Sequence, residues 1–537
     1  MSTSSQTVEA PRTRIDKVLG AVERVGNKLP DPFMLFLGLF LVVGVISTIM
    51  KLAGTQVLIP GADEPVVVKG LFTGQGLTWL TTNLGENFIG FPPLATVLTI
   101  LLAVTVAERT GLLGAGVRLL LGSAPRWLLP YAVGLVGVTA SVMADASMIV
   151  IPPLAAMVFK AAGRHPVAGL VGGFAAAGAG YSTSPLVTSL DALFAGITNA
   201  VTSGLPNPGT EVTPISNYYF NLASSLVLAI IAGYLIDKVV EPRLDRAGVP
   251  RDQVEDEDTG LSSSDEETSA ALATHTTPMN ATLEPREKRA FGVSLAITVG
   301  IAVVMLAAVL LPSSPWRNAD GAFLPKSPLL DSVVFIVFVL FLVPGLVYGF
   351  LVGTLERAAD VAKVMGQGIK DMSSFIVLAF MLGQFIALFN WSGVGSVLAV
   401  SGAEGLEAIG LTGFPAILCF IVLCSLLNLF IISGSSMWTL IGAVFVPMFA
   451  LLGFEPGFIQ GAFRVGDSAT QVITPMNPYL FVFLMMLKRY EPKAGLGTVI
   501  SRMLPFVVPF WIAWVLVLAV FYFLGLDMGP GVGIRIP

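Results

Sequence analysis

Long apolar runs, separated by short polar or basic stretches, make up most of this chain. Several of these runs approach the roughly 20 residues with which an α-helix crosses about 30 Å of hydrocarbon. The pattern therefore predicts a protein that crosses the membrane many times. The nine predicted spans are 32–50, 85–107, 167–198, 218–236, 291–311, 331–352, 373–390, 457–488 and 503–525.

Two further apolar segments are each divided by a polar break into pieces of half the usual length. The first, 128–159, lies between Arg126 and Lys160 and has SVMADAS at its middle. The second, 414–453, is interrupted at SGSS (433–436), and no Lys or Arg lies near either end. Each is predicted to be a re-entrant hairpin, the first opening to the cytoplasm and the second to the outside. The predicted fold class is thus an all-α polytopic membrane protein with nine transmembrane helices and two oppositely oriented re-entrant hairpins.

Composition and charge agree with this fold class. The chain is 54% hydrophobic and 12% charged, whereas soluble domains are about 25% charged. Of its 30 Lys and Arg residues, 24 lie in segments predicted to be cytoplasmic, as the positive-inside rule requires. The N-terminus is accordingly predicted to be cytoplasmic and the C-terminus external, in the inner membrane of a bacterium. No cofactor and no nucleic-acid partner are predicted.

The spans and polar stretches divide the chain into eight segments. These are a cytoplasmic N-terminal tail (1–30), the first two spans of an outer frame (31–127), a first core block with a hairpin and a broken helix (128–198), an external loop with a frame span (199–244), an acidic cytoplasmic linker (245–290), three further spans (291–413), a second core block (414–488), and the last span with an external tail (489–537).

The two core blocks match each other at equal intervals. Pro166 precedes Pro185 at the distance at which Pro456 precedes Pro475. In the hairpins, the matched pairs are Ser141 with Ser435, Ala144 with Trp438, and Pro153 with Pro447. Because the blocks are predicted to enter from opposite sides, they form an inverted repeat. Inverted repeats whose broken helices meet near the bilayer midplane are typical of alternating-access carriers.

The second broken span carries two ionisable residues, Arg464 and Asp467, ahead of Pro475 and Pro478. A charge at the bilayer centre costs about 2.5–3.5 kcal/mol, so such residues are functional candidates. Their spacing of three makes them neighbours on one helix face. In the functional interpretation, Asp467 exchanges a coupling proton while Arg464 holds its charge or attracts an anionic substrate. The alternative is a structural ion pair that locks the helix.

Other polar residues of the core blocks also have two interpretations. Asp191, just past the Pro185 break, is either a second protonation or binding site or a cap of the half-helix that follows. The acid at the first hairpin tip, Asp145, has the same alternatives, and capping is favoured.

The second hairpin tip and its surroundings offer candidate substrate contacts. Ser435 lies at the tip, where hydroxyls and helix N-termini could bind an anion or an ion. Trp438 either stacks on an aromatic substrate or is an ordinary packing or interfacial residue. Asn428 and Asn477 either supply oxygens to a cation or satisfy backbone groups left open by the breaks.

Four motifs of the core blocks and one that follows them resemble the AbgT family of p-aminobenzoyl-glutamate transporters. They are GRHPVAGLVGGFAAAGAGYS, SPLVTSLDALFAGIT, SGSSMWTLIGAVFVPM, FRVGDSATQVITPMNPY and YEPKAGLGT. The resemblance implies a homodimer, a transport core within an outer frame, and proton-driven transport of p-aminobenzoyl-glutamate or export of sulfonamides. By motif, the positions it implicates are Asp191, Asn428, Ser435, Trp438, Pro456, Arg464, Asp467 and Pro475.

Together these features predict a secondary active transporter, not an enzyme, of small anionic aromatic compounds with proton coupling. A sodium-coupled carrier of the same architecture is the nearest alternative, and any metal ligands remain unknown. An intramembrane aspartyl protease is a further alternative, because Gly466-Asp467 partly matches a Gly-x-Gly-Asp site. That enzyme would need Asp191 and Asp467 to form a close pair.

Overall fold

The computed structural model describes residues 30–60, 64–252 and 283–537, apart from 312, 319, 325 and 326. Residues 1–29 of the predicted tail and 253–282 of the predicted acidic linker lie outside the described residues. Within those ranges the ordered elements are helices, except for one pair of two-residue antiparallel strands. The all-α prediction is therefore confirmed for the part of the chain that the structure describes.

Twenty-one α-helices and two strands follow one another along the described ranges. They are α1 (Pro32–Leu52), β1 (Gln56–Val57), β2 (Val66–Val67), α2 (Gly74–Ile89), α3 (Pro92–Arg109), α4 (Leu112–Ser123), α5 (Leu129–Thr139), α6 (Ser147–Ala161), α7 (Pro166–Ala179), α8 (Ser189–Thr202), α9 (Tyr218–Tyr234), α10 (Glu241–Arg246), α11 (Pro285–Leu310), α12 (Pro328–Asp331), α13 (Val333–Val352), α14 (Ala358–Asp371), α15 (Ser373–Ser392), α16 (Val394–Ala408), α17 (Phe414–Leu427), α18 (Gly434–Leu451), α19 (Pro456–Ser468), α20 (Pro478–Lys488) and α21 (Leu496–Leu524). A 3₁₀ segment (Ala140–Ala146) joins α5 to α6, and a π-helical segment (Leu235–Val240) joins α9 to α10.

Nine helical runs among the described residues are long and apolar enough to cross a membrane. Seven of them correspond to predicted spans. The other two are Leu129–Ala161, which is the predicted first hairpin, and Gly434–Leu451, the second limb of the predicted second hairpin. The number of long apolar helices among the described residues thus agrees with the predicted number of spans, but two of the helices are not among the predicted spans.

The two predicted broken spans account for this difference. The span predicted at 167–198 consists of α7 and α8, with a nine-residue break at 180–188. The span predicted at 457–488 consists of α19 and α20, with a break of the same length at 469–477. A helix of 14 residues is only about 21 Å long, so neither half could cross about 30 Å of hydrocarbon alone.

Several helices were not predicted, and tertiary packing explains the clearest case. Residues 74–84 lie outside every predicted span, yet they form most of α2. Its Trp79 ring stacks on Trp391 of α15 at 4.7 Å, and its Asn87 Nδ2 donates to Gln384 Oε1 at 2.9 Å. Helices α4, α14 and α16 were likewise not predicted.

The two ends of the first hairpin segment lie together. Arg164, just after α6, donates from Nη1 to the carbonyl oxygen of Arg126, just before α5, at 3.0 Å. The same guanidinium forms ion pairs with Asp237 and Glu241. These acids lie near the end of the long helical run Tyr218–Arg246.

The second hairpin lies at the other end of that run. The Tyr522 ring contacts Phe414 at 5.1 Å and Phe454 at 6.3 Å, so it lies beside both ends of the α17–α18 segment. Asn217, just before α9, donates from Nδ2 to the Gly457 carbonyl oxygen at 2.7 Å. The hairpin bases therefore lie at opposite ends of one long helix. Their re-entry into the bilayer and the inverted repeat stay predictions.

Candidate functional site

A cavity of about 760 Å³ lies where the hairpin tips and the helix breaks meet. Both hairpin tips contribute residues, and both second half-helices contribute their first turns. Its polar lining residues are Asp31, Ser141, Asp145, Tyr181, Ser189, Ser433, Ser435, Ser436, Gln471 and Tyr479. The four predicted segments of the two core blocks thus enclose one space.

The N-terminal ends of four helices line this cavity. They are the first residues of α1, α8, α18 and α20, namely Pro32, Ser189, Gly434 and Pro478. A helix N-terminus carries roughly half a positive charge and unpaired N–H groups. Among the described residues that line the cavity, none is Lys or Arg. An anion in this space would therefore be stabilised by helix ends and hydroxyls, not by a basic side chain.

Arg464 forms its ion pair with Asp191. Arg464 Nη2 and Asp191 Oδ1 are 2.8 Å apart, and the two side chains are 2% and 4% exposed. The carboxylate also accepts from the Thr188 backbone N–H at 2.7 Å, from Thr188 Oγ1 at 2.7 Å and from Asn221 Nδ2 at 3.1 Å. With Thr188 it forms a capping box at the start of α8. Asp191 therefore caps its half-helix and also compensates the charge of Arg464.

The expected partnership of Arg464 with Asp467 is corrected by these contacts. The guanidinium also donates from Nη1 to the Ser182 carbonyl oxygen at 2.9 Å, and it lies over the Phe194 ring at 5.1 Å. Spacing along the helix puts Asp467 on the same face, but the crossing of the two broken helices brings Asp191 to the guanidinium. Arg464 thus ties the first break to the helix that precedes the second.

Asp467 lies between the first break and the second hairpin tip. Ser182 Oγ donates to Asp467 Oδ2 at 2.9 Å, and the Ser182 N–H donates to Ser468 Oγ at 3.1 Å. At Gly434 an added Cβ would lie 3.2 Å from Asp467 Oδ2, so the carboxylate packs closely against the N-terminus of α18. Asp467 is 3% exposed. It is thus a buried acid with a hydroxyl donor, next to but not lining the cavity.

Trp438 is fully buried and does not line the cavity. Its Nε1 donates to Thr198 Oγ1 at 3.0 Å and to the Phe194 carbonyl oxygen at 3.3 Å. Its ring lies 4.5 Å from that of Phe463. These contacts fit the packing alternative, and stacking of Trp438 on a substrate stays a prediction.

The remaining predicted substrate-binding residues differ in where they lie relative to the cavity. Ser435 lines the cavity. Asn428 is buried and donates to Thr470 Oγ1 at 3.0 Å. Pro475 is buried within the second break. Pro456 begins α19, next to Gly209, and is not a lining residue. Of the two, Ser435 lines the cavity and Pro456 does not, and contact of either residue with a substrate stays a prediction.

Asp145 differs from its expected capping role. The N-cap residue of α6 is Ala146, and no side chain caps that helix. Asp145 instead lines the cavity and accepts from the Tyr181 hydroxyl at 3.1 Å. The preceding Ala144 has φ 46° and ψ −132°, a backbone conformation that residues other than glycine rarely adopt. After this strained turn, the Asp145 carboxylate lies at the cavity instead of capping α6 as had been expected.

Tyr181, Gln471 and Tyr479 line the cavity although sequence reasoning did not single them out. Tyr181 and Gln471 lie within the breaks and Tyr479 just after one, and that position is the signal that could have found them. Asn477, weighed as a cation ligand, caps α20 through a 2.9 Å hydrogen bond from the Tyr479 N–H. It therefore fits the alternative of satisfying backbone groups at a break.

Comparisons with known proteins agree over nearly the whole chain. The model of the AbgT transporter family matches residues 17–536. The chain is 36% identical over 518 residues to the p-aminobenzoyl-glutamate transport protein of Escherichia coli (strain K12), covering 96% of each.

Two solved structures are similar to this fold. The YdaH transporter of Alcanivorax borkumensis has a TM-score of 0.84 and 32% identity, covering 93% of this chain and 100% of that one. MtrF of Neisseria gonorrhoeae, described as representing a class of antimetabolite efflux pumps, has a TM-score of 0.84 and 33% identity, covering 96% of this chain and 100% of that one.

Proposed function

Because the chain belongs to the AbgT family of transporters, we propose that it moves small anionic aromatic compounds by secondary active transport. The resemblance found from the five motifs is confirmed, and the named relatives make the chain a multi-pass membrane transporter, not an enzyme. Substrates of the p-aminobenzoyl-glutamate class are proposed because the Escherichia coli relative is named for that compound. Sulfonamides are a second proposed class, since the gonococcal relative represents antimetabolite pumps.

The cavity between the hairpin tips is the observation that carries this proposal. Its volume of about 760 Å³ suits a small-molecule site. The helix N-termini that line it favour anionic groups, and Leu193 and Phe375 offer apolar contact to an aromatic ring. Alternating access would move these breaks and tips relative to the surrounding helices.

We propose that Asp467 carries the coupling proton. Arg464 is already compensated by Asp191, so its charge does not hold Asp467 in the ionised form by direct contact. Asp467 lies against Gly434 at the second hairpin tip. A change of protonation there would alter the packing of a tip that lines the cavity. This link between charge and cavity shape is what proton coupling requires.

Sodium coupling is the second candidate, and Asn428 favours it. The Asn428 side chain is fully buried, and its Oδ1 has no hydrogen-bond partner among the described residues. A buried carbonyl oxygen without a donor is a candidate ligand for a hard cation. The two coupling ions therefore predict different sensitive residues.

Flux into proteoliposomes with imposed gradients tests the proposal. Asp467→Asn is expected to abolish uptake of labelled p-aminobenzoyl-glutamate driven by a pH gradient. Asp371→Asn, at an exposed carboxylate paired with Arg109, is the matched control and is expected to retain it. Unchanged flux in the Asp467 variant would remove the coupling role. Uptake driven by a sodium gradient at equal pH, and lost in Asn428→Leu, would favour the sodium alternative.

Counterflow separates the substrate question from the coupling question. Liposomes loaded with unlabelled p-aminobenzoyl-glutamate or with a sulfonamide are expected to accumulate labelled p-aminobenzoyl-glutamate without any ion gradient. A protein that exchanges neither compound would contradict the proposed substrate class. The two classes are ranked by the rate of accumulation.

A homodimer in the bacterial inner membrane is also proposed, with the N-terminus cytoplasmic and the C-terminus external. The α11 helix supports an intermolecular contact or a lipid contact, because Val299, Val303 and Leu306 on it are more than half exposed. Cysteines introduced along α11 are expected to cross-link two copies if this face forms the dimer. Labelling of cysteines in the C-terminal segment by an impermeant reagent tests the orientation.

A further inference from the structure

Two residues that line the cavity carry hydrogen-bond acceptors that have no basic partner among the described residues. One is Asp145, whose side chain is exposed to the cavity and accepts from Tyr181. The other is Gln471, a lining residue that is 6% exposed and whose Oε1 has no partner among the described residues. A buried amide oxygen without a donor normally has one supplied by water or a ligand.

The side chain of Asn477 joins the two segments that carry these acceptors. Asn477 Nδ2 donates to the Gln471 carbonyl oxygen at 3.1 Å and lies 4.0 Å from the sulfur of Met148. Met148 is three residues after Asp145, in the first turn of α6. The second break is therefore packed against the start of the helix that follows Asp145.

We propose that Asp145 and Gln471 form a subsite for a hydrogen-bond-donating amino group of the substrate. The inference rests on the proposed function and specifies how a p-aminobenzoyl compound is oriented. Its aryl amine has two N–H bonds, which match a carboxylate and an amide oxygen. The carboxylates at its other end then lie toward the second hairpin tip, where Ser435 and Ser436 are in the first turn of α18.

The chemistry of the lining explains why the subsite would select for an amine. Among the described lining residues no Lys or Arg competes for Asp145, and Tyr181 supplies a hydroxyl donor to one of its oxygens. A substrate without the amine would leave Gln471 Oε1 unpaired in a desolvated site. An unpaired buried acceptor costs more than a missing contact at the surface, and rejection of a substrate that lacks the donor follows.

A pair of substrates that differ only in the amine tests this subsite. Unlabelled p-aminobenzoyl-glutamate and benzoyl-glutamate compete against labelled p-aminobenzoyl-glutamate in counterflow. The unaltered protein is expected to prefer the amine about 10- to 100-fold, the range that corresponds to one hydrogen bond to a charged group. Asp145→Ala is expected to reduce this preference to near one, and Asp145→Asn to an intermediate value.

Across these variants the apparent affinity for benzoyl-glutamate is expected to stay nearly constant, because that compound lacks the amine that the subsite binds. Gln471→Leu is expected to reduce the preference while exchange of benzoyl-glutamate persists, which also reports that the variant folds. Asp371→Ala, outside the cavity, is expected to keep the full preference. Equal losses for both compounds in the Asp145 and Gln471 variants, or an unchanged preference, would overturn the inference. If the unaltered protein exchanges neither compound, the proposed function itself fails.

Discussion

The buried ion pair between Arg464 and Asp191 makes an asymmetric prediction. Removing Asp191 leaves a guanidinium, 2% exposed, whose remaining direct contacts among the described residues are with the Ser182 carbonyl oxygen and the Phe194 ring. Removing Arg464 leaves a carboxylate that still has three donors, from Thr188 and Asn221. The two single variants should therefore differ in cost, although each deletes the same ion pair.

The magnitudes follow from general measurements on buried pairs. Breaking a buried pair from one side costs about 3–5 kcal/mol because an uncompensated charge remains. Asp191→Asn is expected in that range. Arg464→Met is expected to cost about 1–3 kcal/mol, since hydrogen bonds to a charged group are worth about 1.5–3 kcal/mol each and three remain. The double variant removes both charges and is expected to be more stable than Asp191→Asn alone.

A double-mutant cycle measures this prediction directly. The free energy of unfolding is obtained for the four proteins by titration with sodium dodecyl sulfate in mixed micelles. The coupling between the two positions is expected to be at least about 2 kcal/mol. If Asp191→Asn costs no more than Arg464→Met, or if the single costs add in the double variant, the reasoning from donor counts is refuted.

Three other perturbations have defined outcomes. Gly434→Ala places a Cβ 3.2 Å from Asp467 Oδ2 and is expected to slow pH-driven uptake several-fold, whereas Gly405→Ala, with nothing within 4 Å, is expected to match the unaltered protein. Ala144→Gly relieves the strained φ of 46° and is expected to add about 1 kcal/mol to the free energy of unfolding, measured in the same titration. Burial lowers the pKa of His165, between α6 and α7, from its ordinary 6.5, so protonation opposes folding and stability is lost as pH falls below 6.5. Between pH 7.5 and 5.5 the thermal midpoint is therefore expected to fall less in His165→Gln than in the unaltered protein; an equal fall would contradict the assignment.

The sequence alone determined where most membrane helices lie and where they break. Among the described residues, seven of the nine long apolar helices match predicted spans, because the length of an apolar run is a local property of the sequence. Both breaks were located by proline, glycine and polar residues for the same reason. The family also followed from contiguous motifs, which need no contact information.

Features that the sequence did not determine depend on contacts or backbone angles that are not local to the residues concerned. Helix α2 packs on α15 through the stacked rings of Trp79 and Trp391, and Asp145 directly follows the unusual backbone turn at Ala144. For Trp438 the sequence left stacking and packing open, and contacts of its indole with Thr198 and Phe194 of α8 give the packing. In each case the deciding neighbour is distant in sequence or the deciding backbone angle is not encoded by residue type.

The ion-pair partner of Arg464 shows most clearly which features the sequence determined and which the tertiary structure decided. Sequence placed a cation and an acid on one helix face, since a spacing of three residues fixes their relative direction. Which acid reaches the guanidinium was decided by the crossing of two broken helices, which also brings Ser182, 282 residues away, to the same group. A short ion pair requires atoms within about 3 Å, and only the tertiary structure sets distances between segments so far apart in the chain.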